Sequence, residues 1–175
     1  MRAFICVEIS EEARKEILGI IKEVEKTGLV NAKYVSEKNL HLTLRFFGEI
    51  SEEKVGEIKE KLETIKARRF EASLGNLGYF SEEFIKVLWA GVEGEGMKEL
   101  SEEIETIFGK EERGFNGHVT FARIKSIKDK KKFLEFFSGL KVKPVKFLID
   151  RIVLKKSVLT PTGPIYSDAY AHELK

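Results

Sequence analysis

Two short stretches of this chain carry one pattern, HLTL at residues 41–44 and HVTF at residues 118–121, and each sits at the centre of the same succession of segments. That repetition limits the fold more than any other feature. The apolar run AFICVEI at 3–9 reads as a buried strand. Ser10 with Glu11 and Glu12 reads as a helix N-cap and acidic first turn, and Ile17, Leu18, Ile21 and Val24 recur at helical spacing. After the His41 strand, Ser51, Glu52 and Glu53 open a second helix with Val55, Ile58, Leu62 and Ile65 on its apolar face. FEASLGNLGYF at 70–80 holds a closing strand.

The succession then starts again. KVLWAGV at 86–92 is an apolar strand, Met97, Leu100, Ile104, Ile107 and Phe108 mark a helix stopped by Gly109, and HVTFARI at 118–124 is the second histidine strand. A helix around residues 129–140 follows, then a long strand near VKFLIDRIVLKKS at 145–157. TPTGP at 160–164 turns the chain into a last strand, IYSDAYAHEL at 165–174. The histidine comes about 38 residues after the opening strand begins in the first half and about 31 after it in the second, which a duplicated strand-helix-strand-helix-strand unit explains. No Pro- or Ser-rich linker divides the halves, so residues 1–175 are expected to form one domain of two pseudo-symmetric lobes.

Composition narrows the setting. Cys6 is the only cysteine, which excludes an intramolecular disulfide and zinc sites built on several thiolates. The first apolar run is too short for a signal segment or membrane span, so a soluble, cytoplasmic protein without a membrane partner is expected. Charged residues make up 34% of the chain and glutamine is absent, a bias that resembles thermophile proteins. The net charge of +2 hides a gradient: between Arg123 and Lys156, twelve Lys or Arg face only Asp129, Glu135 and Asp150. Such a run is either a solvated face or a surface for a polyanion.

The HxT pattern recurs beyond chance. Threonine is about 4% of the chain, so two of the three histidines (His41, His118, His172) would carry Thr two residues on well under 1% of the time. On a strand, His41 and Thr43 share one face while Leu42 and Leu44 share the other; His118 and Thr120 stand likewise against Val119 and Phe121. Two such strands side by side across a pseudo-two-fold would place two imidazoles around one groove. That arrangement suits in-line displacement at phosphorus, where one histidine takes a proton from the nucleophile and the other gives one to the leaving oxygen. The threonine hydroxyls can donate to the non-bridging oxygens. A metal centre fits less well, since neither motif has HxxxH spacing or clustered acids beside it.

Alternation puts Arg45 on the face of His41 and Thr43, where it could hold phosphate. Arg123 has the opposite parity to His118 and reaches the groove only if the strand ends or bulges near Ala122. Phe46, Phe47, Tyr79, Phe80 and Trp89 could stack a nucleobase or fill the core. His172 lacks the threonine and reads as a surface histidine.

These features resemble the two-histidine phosphoesterases, specifically the LigT-like family of 2′-5′ RNA ligases and RNA 2′,3′-cyclic phosphodiesterases. The resemblance spans NLHLTLRFFGEI, LGNLGYF, VLWAGVE, FNGHVTFARI and IVLKKSVLTPTGPIY. It implies a bilobal α+β fold of duplicated units with mainly antiparallel sheets facing a central cleft. It also implies metal-independent opening of a 2′,3′-cyclic phosphate to a 2′-phosphomonoester without cofactor, with His41 as proton donor and His118 as proton acceptor. The reverse reaction with an RNA 5′-hydroxyl would form a 2′-5′ linkage. The implied partner is RNA with a cyclic phosphate end, tRNA halves being one case, acted on by a monomer. On that footing Lys130, Lys131 and Lys132 become candidate RNA contacts. Two other readings stand beside it: a phosphodiesterase for a small cyclic nucleotide such as an ADP-ribose cyclic phosphate, and an RNA-binding module without turnover.

Overall fold

The unbroken apolar run near the start of the chain becomes β1 (Arg2–Glu8), a strand buried on both faces in the computed structural model, which describes residues 1–175. It is followed by α1 (Glu11–Thr27), β2 (Val30–Tyr34), β3 (His41–Glu49), α2 (Glu52–Glu63) and β4 (Phe70–Gly78). The second half supplies β5 (Val87–Glu93), α3 (Glu95–Phe108), β6 (His118–Ile127), α4 (Lys130–Gly139), β7 (Lys146–Ile149), β8 (Arg151–Thr160) and β9 (Gly163–Glu173). The caps follow local chemistry. Ser10 and Ser51 accept from the backbone N–H groups of Ala13 and Lys54, and Asp129 accepts from Lys132, each interaction contributing about 1 kcal/mol. α3 stops at Gly109, whose φ of 93° is open to glycine and strained for other residues.

All strands join one antiparallel sheet in the order β7-β4-β5-β6-β3-β1-β8-β9, with β2 paired to β6 off this path. The order reads the same from both ends in terms of the repeat: each histidine strand is central, its half's opening strand is next, and a closing strand lies outside that. The closing strands are exchanged, however. β4 ends the first half but pairs with β5, and β8 belongs to the second half but pairs with β1. Each wing of the sheet is therefore built from both halves of the sequence, which ties the lobes into one unit.

Two expected elements come out differently. The long strand at 145–157 breaks at Asp150 into β7 and β8, which pair with β4 and β1 on opposite wings. Consecutive strands can reach opposite wings only if the sheet curls. The backbone N–H of Leu174 donates to the Asp150 carbonyl and that of Arg69 to the Lys175 carbonyl, joining the wings on that side. β2 was not anticipated, although Val30, Ala32 and Tyr34 alternate with Asn31 and Lys33; the alternation spans only five residues, and the strand lies along the outer end of β6, from Ala122 to Ile127.

A core of 36 buried residues lies between the helices and one face of the sheet. Ala3, Ile5 and Val7 of β1 point into it. Phe4 and Cys6 point the other way, packing with Val153 and Tyr166 on the face that carries the histidines. Burial pushes the Cys6 thiol up to about 12, so it acts as packing, with no thiolate chemistry. No helix is long and apolar enough to cross a membrane.

Candidate active site

The two histidine strands meet at one residue pair, Leu42 with Val119, both fully buried. Continuing that antiparallel register by one residue sets His41 across from Thr120 and Thr43 across from His118, on the face opposite the two buried anchors. The imidazoles are then borne by diagonal neighbours, residues about 7–8 Å apart on one face of the sheet. Beyond this junction β3 and β6 diverge, and β2 with its following turn fills the wedge.

Each histidine strand bulges directly after its threonine. On β3, Thr43 pairs with Cys6 and Arg45 with Ile5, leaving Leu44 as the extra residue. On β6, Thr120 pairs with Trp89 and Ala122 with Leu88, leaving Phe121 as the extra residue. A bulge inverts the facing of everything that follows it. Arg45 is thereby turned away from the histidines, contrary to simple alternation. Its Nη1 and Nη2 donate to the carbonyls of Gly109 (2.6 Å) and Phe108 (3.2 Å) at the end of α3, and its Nε lies 3.3 Å from Glu111. Arg123 is turned toward the histidines and lines the cleft. Five residues after each histidine, the equivalent positions are Phe46 and Arg123, and both face the cleft.

The imidazoles are oriented alike. His41 Nδ1 lies 2.7 Å from the Asn39 carbonyl and His118 Nδ1 lies 2.6 Å from the Asn116 carbonyl. A carbonyl can only accept, so Nδ1 carries the proton and Nε2 is left for chemistry. His41 Nε2 is 3.0 Å from Thr43 Oγ1, whose hydroxyl donates to it when the ring is neutral. His41 stacks on Phe4 at 4.9 Å and meets Tyr166 edge-on at 5.5 Å. That burial lowers the His41 pKa, opposed by the hydrogen bond to Asn39, which favours the charged ring. Burial raises the pKa of the Tyr166 phenol, so it stays protonated.

Both His-Thr pairs open into a cleft of about 830 Å³. Four cations line it, Arg2, Lys33, Lys38 and Arg123, and no carboxylate does. Arg2 is shared with Glu49 at 3.4 Å. An apolar wall of Phe46, Leu159, Pro164 and Ile165 stands with them. Phe47 packs on Phe108, and Tyr79 packs toward Phe137 beside a separate hollow of about 400 Å³ that holds neither histidine. Sequence reasoning missed Lys33 and Lys38, which arrive with the unforeseen β2 and its turn, and Tyr166, whose only sequence signal was its place after the TPTGP turn.

Most of the basic run lies outside the cleft. Of its residues only Arg123 lines the cleft. Lys146, Arg151, Lys155 and Lys156 pair with Glu71, Glu8, Asp168 and Glu52, and Lys130–Lys132 sit at the start of α4, outside the cleft. His172 is half-buried, and its Nε2 donates to the Ile65 carbonyl at 3.2 Å, which ties β9 to the end of α2.

A curled antiparallel sheet with a His-Thr pair on each of its two central strands defines a class of small phosphoesterase. The family model described as LigT like Phosphoesterase matches residues 7–89 and 93–166, and the chain belongs to that family. It is 37% identical to the RNA 2′,3′-cyclic phosphodiesterase of Thermotoga maritima, over 97% of this chain and 94% of that protein. It is 31% identical to the one of Archaeoglobus fulgidus, over 99% and 100%. Among solved structures, TT0787 of Thermus thermophilus superposes with a TM-score of 0.79 at 28% identity, covering 99% of this chain and 98% of that one. E. coli LigT in complex with phosphate shares the fold at 20% identity, with a TM-score of 0.76 over 99% and 96%.

Proposed function

We propose that this chain is an RNA 2′,3′-cyclic phosphodiesterase that opens a cyclic phosphate end to a 2′-phosphomonoester, with His41 and His118 moving the protons. The observation that carries this reading is the cleft itself: two His-Thr pairs and four cations on its walls, and no carboxylate. Such a wall attracts an anion and offers too few donors to complete a metal shell.

In this reading Arg123 and the hydroxyls of Thr43 and Thr120 hold the non-bridging oxygens of the cyclic phosphate. His118 Nε2 takes a proton from water as the new O–P bond forms. The P–O3′ bond breaks on the opposite side, and O3′ takes the proton from His41 Nε2. The shape of the cleft supports this direction. Apart from His118, Thr120 and Arg123 of β6, and Lys33 and Tyr34 of the β2 strand that pairs with it, the lining comes from β1, β3, β8, β9 and their turns, on the His41 side. The nucleoside therefore fits beside His41, and its departing O3′ lies next to that ring. Phe46, Leu159 and Tyr166 offer the base an apolar wall. The finer reading is that tRNA halves ending in a cyclic phosphate are the substrate of a cytoplasmic monomer.

The test is hydrolysis of a nucleoside 2′,3′-cyclic phosphate in EDTA by the wild type, His41→Ala and His118→Ala, with the product phosphate placed by phosphorus NMR. Each substitution should cost at least about 10²-fold in kcat. Full activity in either variant rejects the acid-base pair, and a 3′-phosphate product reverses the leaving oxygen.

A further inference from the structure

The turn of the β8–β9 hairpin lies far from His41 along the sheet and close to it in space. β1 meets β8 through Arg2 and Ser157 at one end and β3 through Glu8 and His41 at the other. Those two levels are six residues apart, about 20 Å of strand. Asn39 lies beyond the His41 level, and Pro164, which pairs with Leu159, lies beyond the Ser157 level. Even so, Asn39 Nδ2 donates to the Pro164 carbonyl at 3.2 Å, across 125 residues of sequence. The hairpin therefore bends over the cleft, and Pro164, Ile165 and Tyr166 join its lining. β2 meets the same turn, since a Cβ on Gly163 would lie 3.6 Å from Lys33 Nζ.

Asn39 makes two kinds of contact at once. Its backbone carbonyl accepts from His41 Nδ1 at 2.7 Å while its side chain holds the hairpin, and its own N–H is fixed on the Ser36 carbonyl at 2.9 Å. One short residue thus joins the ring of the acid to the wall that receives the nucleoside. Tyr166, two residues past Pro164, meets the same ring edge-on at 5.5 Å. Nothing comparable stands at His118. Asn116 orients that ring through the same carbonyl contact, but its side chain is exposed and holds no other segment. The ring neighbours of His118 are Phe80 at 5.0 Å and Trp89 at 5.9 Å, outside the cleft lining.

We propose that Asn39 is a positioning residue whose side-chain amide clamps the β8–β9 hairpin over the nucleoside, so that the wall holding the substrate and the imidazole serving O3′ move as one piece. This rests on the cyclic phosphodiesterase reading. A clamp of this kind acts on kcat. Without it the nucleoside still seats against the hairpin, but O3′ spends less time aligned with His41 Nε2.

The test compares the wild type, Asn39→Ala and Asn39→Asp on a nucleoside 2′,3′-cyclic phosphate and on glycerol 1,2-cyclic phosphate, each assayed well below the Tm of the variant. Both variants keep the backbone carbonyl at His41, and Asn39→Asp also keeps the side-chain size while its ionised carboxylate cannot donate. The glycerol ester has the same five-membered phosphate ring and no base to reach the hairpin. With the nucleoside, kcat should fall about tenfold in both variants while KM stays within about twofold. With the glycerol ester, kcat should stay within about twofold of wild type. An equal fall on both substrates would show that Asn39 serves His41 or the fold without the hairpin, and would overturn the clamp. A rise in KM at unchanged kcat would make it a binding contact and overturn it too, as would unchanged kinetics. A wild type that hydrolyses no nucleoside cyclic phosphate rejects the parent function first.

Discussion

Replacing Arg45 by methionine separates the two arginines that sequence alternation treats as candidates for the same task. The Arg45 side chain is only 18% exposed and spends its guanidinium on the C-terminal end of α3. A hydrogen bond from a charged donor contributes about 1.5–3 kcal/mol. The bond to Gly109 is short, the one to Phe108 is long, and the Glu111 carboxylate is 47% exposed, so the ion pair adds little. The loss should total about 2–3 kcal/mol, which in a chain of this size lowers Tm by roughly 5–10 °C. Assayed well below that transition, kcat/KM on a nucleoside 2′,3′-cyclic phosphate should stay within about twofold of wild type, because the bulge at Leu44 aims Arg45 away from the cleft. Arg123→Met should do the reverse: kcat/KM falls about 10²-fold while Tm moves little, as expected when a donor to the phosphoryl oxygens is removed. If Arg45→Met loses activity at an unchanged Tm, the bulge does not orient the side chain as described and the assignment of the two arginines fails.

Two further outcomes follow from the same geometry. The His41 pKa, followed by NMR in the free enzyme, should lie below the unperturbed 6.5 and rise when a 2′-phosphonucleotide binds, since the anion favours the imidazolium. Its contribution to stability should be fully present above pH 6.5 and decline as the pH falls through the lowered folded value; a free-enzyme pKa above 6.5 would contradict the burial against Phe4. Lys33→Glu and Lys38→Glu should weaken binding of an RNA end and flatten its salt dependence, while the triple change of Lys130, Lys131 and Lys132 to Glu should leave the slope of log K against log salt unaltered. A slope that follows the α4 lysines would move the RNA track away from the cleft.

The parts of the fold legible in the sequence are those that depend on local chemistry repeated twice. Ser10 and Ser51 announce their helices, the apolar faces of α1, α2 and α3 declare themselves, and the HxT pairs mark the central strands without need of any partner. What stayed hidden depends on pairing. A bulge is a relation between two strands, so nothing in TLRF or TFAR alone announces that facing inverts after Leu44 and after Phe121. The exchange of β4 and β8 is hidden for the same reason, since a strand's sequence records its burial and not its neighbour. Ion pairing is hidden by a third route: Lys155 and Lys156 look like free cations until the chain brings Glu8, Asp168 and Glu52 against them.

A site with perfect two-fold symmetry could not tell its acid from its base, because two equivalent imidazoles around a phosphate would be free to exchange roles. The duplication supplies matching parts: Asn39 and Asn116 set the same ring tautomer, Thr43 and Thr120 present the same hydroxyl, and Leu42 and Val119 anchor the same strand position. Direction has to come from the places where the halves differ. Five residues past each histidine, one half carries Phe46 and the other Arg123, so equivalent strand positions present a ring in one half and a guanidinium in the other. Cys6 on the His41 side answers to Trp89 on the His118 side, each opposite the threonine of its half, so one wall is closed around its histidine and the other carries an aromatic surface. The β8–β9 hairpin then walls only the His41 side with Leu159 and Ile165. In the proposed mechanism a nucleoside has room on one side of the phosphorus and a nucleophile on the other, and these departures from the repeat are what give a symmetric pair of histidines a direction.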